Sequence, residues 1–256
     1  MPRKSDPVAD SVWMRPSKSR RGRPQLSREE IVSAAIELLD ADGLDGLSMR
    51  RLGATIGAGA TSLYFYVAHK DELLELCLDE VMGEIEIDDV PDHADHADQG
   101  EGGDWRASAA AFMRSYREVI VRHPWMLGLL GVRPAIGPKA MRMSDRLVHM
   151  LTSAGFEGMG VAHASSLLMS HVFGGATLQV ASSSLIERTG GSAREVADTM
   201  EPYVERFGDE FPHYTKWFQS HRDLDPECYP EEAFRFGVAR ILDGLESWRA
   251  GASKQS

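Results

Sequence analysis

Residues 47–74 read LSMRRLGATIGAGATSLYFYVAHKDELL. Leu47, Leu52 and Ile56 are apolar at helical spacing, and Gly57 follows them. Glycine takes the left-handed cap conformation without a steric penalty, so a helix is expected to end there. Leu63 and Val67, four apart, give the next segment one buried face. Its other face carries Thr61, Ser62, Tyr64 and Phe65, with Tyr66 and Lys70 just beyond. Hydroxyls, aromatics and a lysine on a short outward helix are poor core material and suit a DNA major groove. The stretch therefore predicts a helix, a glycine turn, a short exposed helix and the start of a longer one. A plain helical hairpin is the competing reading, because a helix-turn-helix pattern alone is weak.

The head extends upstream. Ser27-Arg28-Glu29-Glu30 has capping-box spacing, and Ile31, Ala35, Leu38 and Leu39 form an apolar stripe ended by Asp42-Gly43. Ser48 caps the second helix, whose first turn holds Arg50 and Arg51. Positive charge there opposes the helix dipole, so an external anion such as phosphate is expected to compensate it. A solvated pair is the alternative.

Charge and composition bound the rest. The chain has 256 residues, 43% hydrophobic, with a net charge of −11. That sum is unexpected for a DNA binder, but the charge is unevenly distributed along the chain. Residues 1–26 hold Arg3, Lys4, Arg15, Lys18, Arg20, Arg21 and Arg23 against Asp6 and Asp10, whereas residues 84–104 hold nine acids and no Lys or Arg. Charges beyond about 10 Å are largely screened at 0.1 M salt, so the local patch decides phosphate contact. No apolar run reaches membrane-spanning length and no secretory signal precedes the head, so no membrane partner and a cytoplasmic location are expected. Cys77 and Cys228 suggest neither a disulfide framework nor a zinc site.

Residues 1–25 read as a disordered basic arm, either a solvated tail or a contact to phosphate or the minor groove, with Trp13 unexplained. Residues 26–75 are the predicted DNA-binding domain, and 76–86 end a connecting helix that starts near Lys70. Residues 87–104 read as a flexible acidic loop. Asp92, His93, Asp95, His96 and Asp98 could ligate a divalent metal, but a solvated linker is the simpler reading, and no metal or cofactor is expected. Residues 105–250 read as a helical body, with helices over 105–122, 140–154, 161–188, 193–207 and 231–249. Residues 208–230 are Pro- and aromatic-rich and mostly irregular. The long helix and the last one, carrying Phe234, Val238, Ile241, Leu242, Leu245 and Trp248, are candidates for a dimer interface, with a monomeric core as the alternative.

The chain lacks a Gly-x-Ser-x-Gly elbow, a P-loop and a His-Glu-x-x-His helix, so no catalytic residues are assigned. His163 and His171 stand about two turns apart, too far for one metal ion. Phe112, Tyr116, Trp125, Met143 and Leu147, with further methionines, could wall a ligand pocket or simply fill the core.

The glycine turn, Leu63-Tyr64-x-Tyr66-Val67 and Lys70-Asp71-Glu72-Leu73-Leu74 closely resemble the TetR family of transcriptional regulators, which usually has histidine where Tyr66 stands. The run from Arg117 to Phe156, with Arg122-His123-Pro124-Trp125, the Gly131–Pro134 break and Ala154-Gly155-Phe156, resembles the C-terminal domain of tetracycline-repressor-like regulators. The resemblance implies an all-α chain: a three-helix helix-turn-helix head and a helical domain for ligand binding and dimerisation. It implies a homodimer binding a double-stranded DNA operator, most simply a palindrome, as a repressor released by a small-molecule effector. Arg50, Thr61, Ser62, Tyr64, Phe65, Tyr66 and Lys70 are the expected DNA contacts. Phe112, Tyr116, Trp125, Met143, Leu147, His171 and Gln179 are the expected ligand contacts. Leu129 stands where tetracycline repressors place a magnesium-binding histidine, and Gln179 where they place a glutamate. An apolar or aromatic effector is therefore expected instead. The other function classes are a small-molecule carrier or enzyme on this scaffold and a sequence-indifferent DNA binder.

Overall fold

In the computed structural model, which describes residues 11–14, 26–87, 104–221 and 228–252, the named elements are all helical. The one β feature among these residues is an isolated bridge between Leu130 and Arg133. The helices are α1 (Arg28–Gly46), α2 (Met49–Thr55), α3 (Ala60–Leu63), α4 (Lys70–Met82), α5 (Trp105–Arg122), α6 (Pro138–Ser153), α7 (Met159–Thr189), α8 (Ala193–Arg206), α9 (Pro212–Ser220) and α10 (Tyr229–Ala252). Two 3₁₀ segments, Val12–Met14 and Pro124–Gly128, complete the set. The acidic stretch 88–103, with its candidate metal ligands, lies outside the described residues, as do 1–10 and 15–25.

The chain divides into two compact units, 1–165 and 166–256. In the first, both halves of the α1 capping box are present: Glu30 N donates to Ser27 Oγ at 3.0 Å, and Ser27 N to Glu30 Oε2 at 2.6 Å. The chain leaves helical geometry at Gly43, where the sequence places the stop. Ile31, Leu39, Leu52, Leu63 and Leu73 are fully buried in the head, as are Phe112, Met113, Tyr116, Ile120 and Met126 beyond it.

α4 ends earlier than its apolar pattern suggests. It stops at Met82 with Gly83 as C-cap, and the following residues fold back so that Ile85 and Ile87 are buried. Glycine is a poor helix former, and two inward isoleucines at alternate positions reward an extended exit over another turn. Ser11–Met14 also departs from expectation. Instead of belonging to a featureless arm, Ser11 is fully buried and donates to Glu75 Oε2 at 2.7 Å. The Val12 amide donates to the same oxygen at 3.0 Å. Trp13 shares a crevice with Leu78, Pro134, Ala135 and Gly137, which accounts for a tryptophan in a polar leader.

In the second unit α7 and α10 approach closely. The His171 ring stacks on Phe234 with centroids 4.9 Å apart. A Cβ at position 237 would lie 2.1 Å from His171 Cε1, so any larger residue there would have to displace the ring. α9 forms where mostly irregular chain is expected. Pro212 sits in its first turn, where its missing N–H costs nothing, so the proline starts this helix. Among the described residues, no helix is long and apolar enough to cross a membrane.

α6 begins without a side chain of its own to cap it, because Gly137 is the N-cap. Asp79 of α4 supplies the cap, accepting from Lys139 N at 3.1 Å and Ala140 N at 2.9 Å. Asp79→Ala leaves both amides unpaired and should cost about 1–2 kcal/mol. Asp79→Asn keeps an acceptor oxygen and should recover most of that loss. Urea unfolding midpoints of the two variants check this, and equal midpoints would show that the cap carries no weight.

Candidate functional site

The outward face of the head is set by its anchors. Leu47, Leu52, Leu63 and Val67 are 2% exposed or less, so α2, the turn and α3 cannot rotate without unburying one of them. Ser48 Oγ accepts from Arg51 N at 3.2 Å and starts α2. Gly57 has φ +68°, which a side chain would disfavour. Ala58 N then donates to Gly53 O at 2.8 Å and closes the turn.

With the anchors fixed, the remaining side chains must face out. Thr61 and Ser62 are exposed, and Tyr64 and Phe65 are 52% and 59% exposed. α3 itself ends at Leu63, and Tyr64–Tyr66 continue it as a tighter turn, with Phe65 N donating to Ser62 O and Tyr66 N to Leu63 O. The Phe65 and Tyr66 rings meet edge to face at 5.7 Å, which fixes the edge of the aromatic row.

The two arginines of α2 divide. Arg51 is held inside the head by Asp42 and donates to Gly46 O at 3.2 Å, so its charge is compensated without phosphate. That corrects the expectation of an external anion for this residue. Arg50 is exposed and has no partner among the described residues. Lys70 Nζ donates to Leu44 O at 2.9 Å. An ammonium has three donors, so this anchors Lys70 and leaves two N–H groups for an anion.

α4 joins the head to the rest of the first unit through acids four residues apart. Asp71 pairs with Arg133 Nη2 at 2.6 Å, Glu75 holds Ser11 and lies 3.9 Å from Arg133 Nη1, and Asp79 caps α6. A second joint lies on α1. Asp40 Oδ1 is 2.7 Å from both His123 Nδ1 and Trp125 Nε1, and His123 Nε2 is 3.3 Å from Glu84. Sequence reasoning missed both joints. The four-residue spacing of the acids was visible, but such a row reads equally well as a solvated helix face.

Of the expected ligand contacts, Phe112, Tyr116, Trp125, Met143 and Leu147 are buried in the first unit. Phe112 and Tyr116 pack with centroids 6.0 Å apart, and burial pushes the Tyr116 phenol up. Trp125 spends its N–H on Asp40. His171 and Gln179 belong to the second unit. His171 Nε2 is 2.9 Å from Phe234 O, while Gln179 Oε1 is buried with no hydrogen-bond partner among the described residues. Cys77 is buried and its thiol is pushed up by desolvation, so it is inert as a nucleophile or ligand. No group of three or more His, Cys, Asp or Glu among the described residues could hold a metal ion.

Comparison with known proteins agrees with this geometry. The family model described as bacterial regulatory proteins, tetR family, matches residues 31–77. The one described as tetracyclin repressor-like, C-terminal domain, matches residues 97–249. An HTH-type transcriptional regulator of Saccharopolyspora erythraea is 39% identical over 170 residues, covering 66% of this chain and 68% of that protein. The HTH-type transcriptional repressor DrrR1 of Streptomyces coeruleorubidus is 35% identical over 228 residues, covering 89% and 80%. The crystal structure of Streptomyces coelicolor ActR in complex with actinorhodin matches with a TM-score of 0.66 and 30% identity, over 87% of this chain and 99% of that one. With its helix-turn-helix facing outward on a fully anchored frame, the chain belongs to the TetR family and is a ligand-responsive, DNA-binding transcriptional regulator rather than an enzyme.

Proposed function

We propose that the chain acts in the cytoplasm as a homodimeric repressor that binds a palindromic operator and is released by a small apolar or aromatic effector. The observation that carries the DNA contact is the outward row of Thr61, Ser62, Tyr64 and Phe65 beside Arg50, which has no partner among the described residues. In this reading Arg50, Ser62, Tyr66 and Lys70 position the head on phosphates, and Thr61, Tyr64 and Phe65 lie nearer base edges or thymine methyls. Gly59 and Ala60 at the start of α3 allow close approach and read few bases.

Support for the dimer comes from α7 and α10. Phe234, Val238, Leu242 and Leu245 are already buried within the chain. The residues left for a partner are Leu178 at 73% and Phe236 at 68% exposure, with Leu185 and Trp248. Large outward apolar side chains on two long helices fit a helical interface between copies better than open water. For the effector, Met143 offers an adaptable apolar wall in the first unit. The ActR complex with actinorhodin supports small-molecule binding on this architecture.

Selection of bound sequences from a random DNA pool tests the reading directly; a two-fold symmetric consensus is expected, and sequence-indifferent recovery would overturn it. On the selected site, log affinity should fall with log salt at about −0.9 per phosphate contact. Tyr64→Ala should cost roughly 1–3 kcal/mol of operator affinity if the ring makes a specific base contact. The same change should leave stability within about 0.5 kcal/mol, because the side chain is on the surface.

Tetracycline with magnesium is expected to leave the protein–operator complex intact. Leu129 is 4% exposed and offers no ligand oxygen or nitrogen, and magnesium demands oxygen ligands in near-octahedral order. Titration of the complex in a mobility-shift assay checks this. Release at micromolar drug, abolished by a chelator, would contradict it.

A further inference from the structure

A cleft of about 170 Å³ opens where the end of α4 meets α6. Its apolar surface comes from Met82, Ile85 and Ile87 on one side and Met143 on the other. Its polar rim is Lys139, Arg142 and Arg146, which follow one another at helical spacing along α6, and no acid among the described residues lines it. A cavity of about 150 Å³ holds a benzene-sized ring, so one aromatic ring fits.

The three cations are not equivalent. Lys139 Nζ is neutralised by Glu80 at 2.5 Å. Arg146 Nη1 reaches the Ile87 carbonyl at 3.5 Å, which keeps its guanidinium at the mouth. Arg142 is exposed and has no ion-pair or hydrogen-bond partner among the described residues. A guanidinium fork beside an apolar floor matches a planar carboxylate on a hydrophobic body, because the fork can meet both oxygens at once while the body covers the floor. A bare anion would leave the floor wet, and a neutral hydrocarbon would leave the fork unmet.

We infer that this cleft binds an aromatic carboxylic acid, with Arg142 as the primary carboxylate contact and Arg146 as the second. The inference rests on the reading that this regulator responds to a small molecule, and it narrows the class of that molecule. The site also has a mechanical position. Its α4 side lies just beyond Asp79, which caps α6, so a ligand here bridges the same two helices.

Calorimetry on the full-length protein with benzoate, its neutral isostere benzamide and inorganic phosphate tests the inference. The acid is expected to bind at least about tenfold more tightly than the amide, and phosphate more weakly than either, since it cannot use the floor. Arg142→Gln should lower affinity for the acid about tenfold and leave the amide unchanged. Arg142→Gln with Arg146→Gln should bring the acid-to-amide ratio near one. Arg142→Gln removes no hydrogen bond or ion pair among the described residues, so an unchanged thermal midpoint is expected even if the double variant folds poorly. Equal binding of acid and amide, no binding of the acid at millimolar concentration, an acid preference surviving Arg142→Gln, or phosphate binding as tightly as the acid would each overturn the inference. Operator binding by the ligand-free protein separates the two levels. Operator binding without acid discrimination sinks the cleft and spares the regulator, whereas no operator binding sinks the regulator itself.

Discussion

The carboxylate row Asp71, Glu75, Asp79 on α4 is the constraint on which the first unit depends. Each acid reaches a different piece of chain: Arg133 in the break after the 3₁₀ turn, the leader at Ser11 and Val12, and the start of α6. A carboxylate held by two or three donors has few positions that satisfy all of them, and for a buried group such as Glu75 a lost partner is costly. α4 therefore cannot slide along α6 by small steps. It must keep these bonds or exchange them as a set. Packed elements of this kind have discrete arrangements, which is how a small change at one place becomes a change in the direction of a helix elsewhere.

Asp40 on α1 gives the head a second hold. One carboxylate oxygen meets both the His123 ring and the Trp125 indole, so the chain between α5 and α6 grips the head at a point independent of α4. Two attachments fix an orientation where one would allow rotation. The same chain carries Arg133 to Asp71, so the 123–133 segment touches both helices through which the head is held. The head and the 123–133 segment of the first unit are thus linked by charge-assisted bonds.

Much of this was legible in the sequence because the signals were local. The Ser27 capping box, the stop at Gly43, the Ser48 cap and the Gly57 turn each rest on residues within four positions of one another, and each appears in the structure. The exposure of Tyr64 and Phe65 follows from the burial of Leu63 and Val67 in the same way. What was not legible depends on distant partners. Arg50 and Arg51 look alike in sequence, and only the return of Asp42 tells them apart. Trp13 has meaning only beside Pro134 and Gly137. Residues 208–230 read as mostly irregular because nothing near Pro212 shows that a helix follows it. The cations of α6 carry no signal of their own in the sequence; only beside the buried Ile85 and Ile87 do they become one wall of a cleft.

The crowding of His171 against position 237 has an evolutionary consequence. The imidazole occupies the volume where any larger residue's Cβ would have to be, so the two positions cannot drift separately. A descendant that acquires even alanine at 237 must first shrink or turn the ring at 171, and it then loses the stacking on Phe234 and the contact with its carbonyl. The viable path runs through the histidine: a ring turned aside or a smaller residue at 171 comes first, and among diverging sequences a non-glycine at 237 should accompany a displaced or smaller side chain at 171.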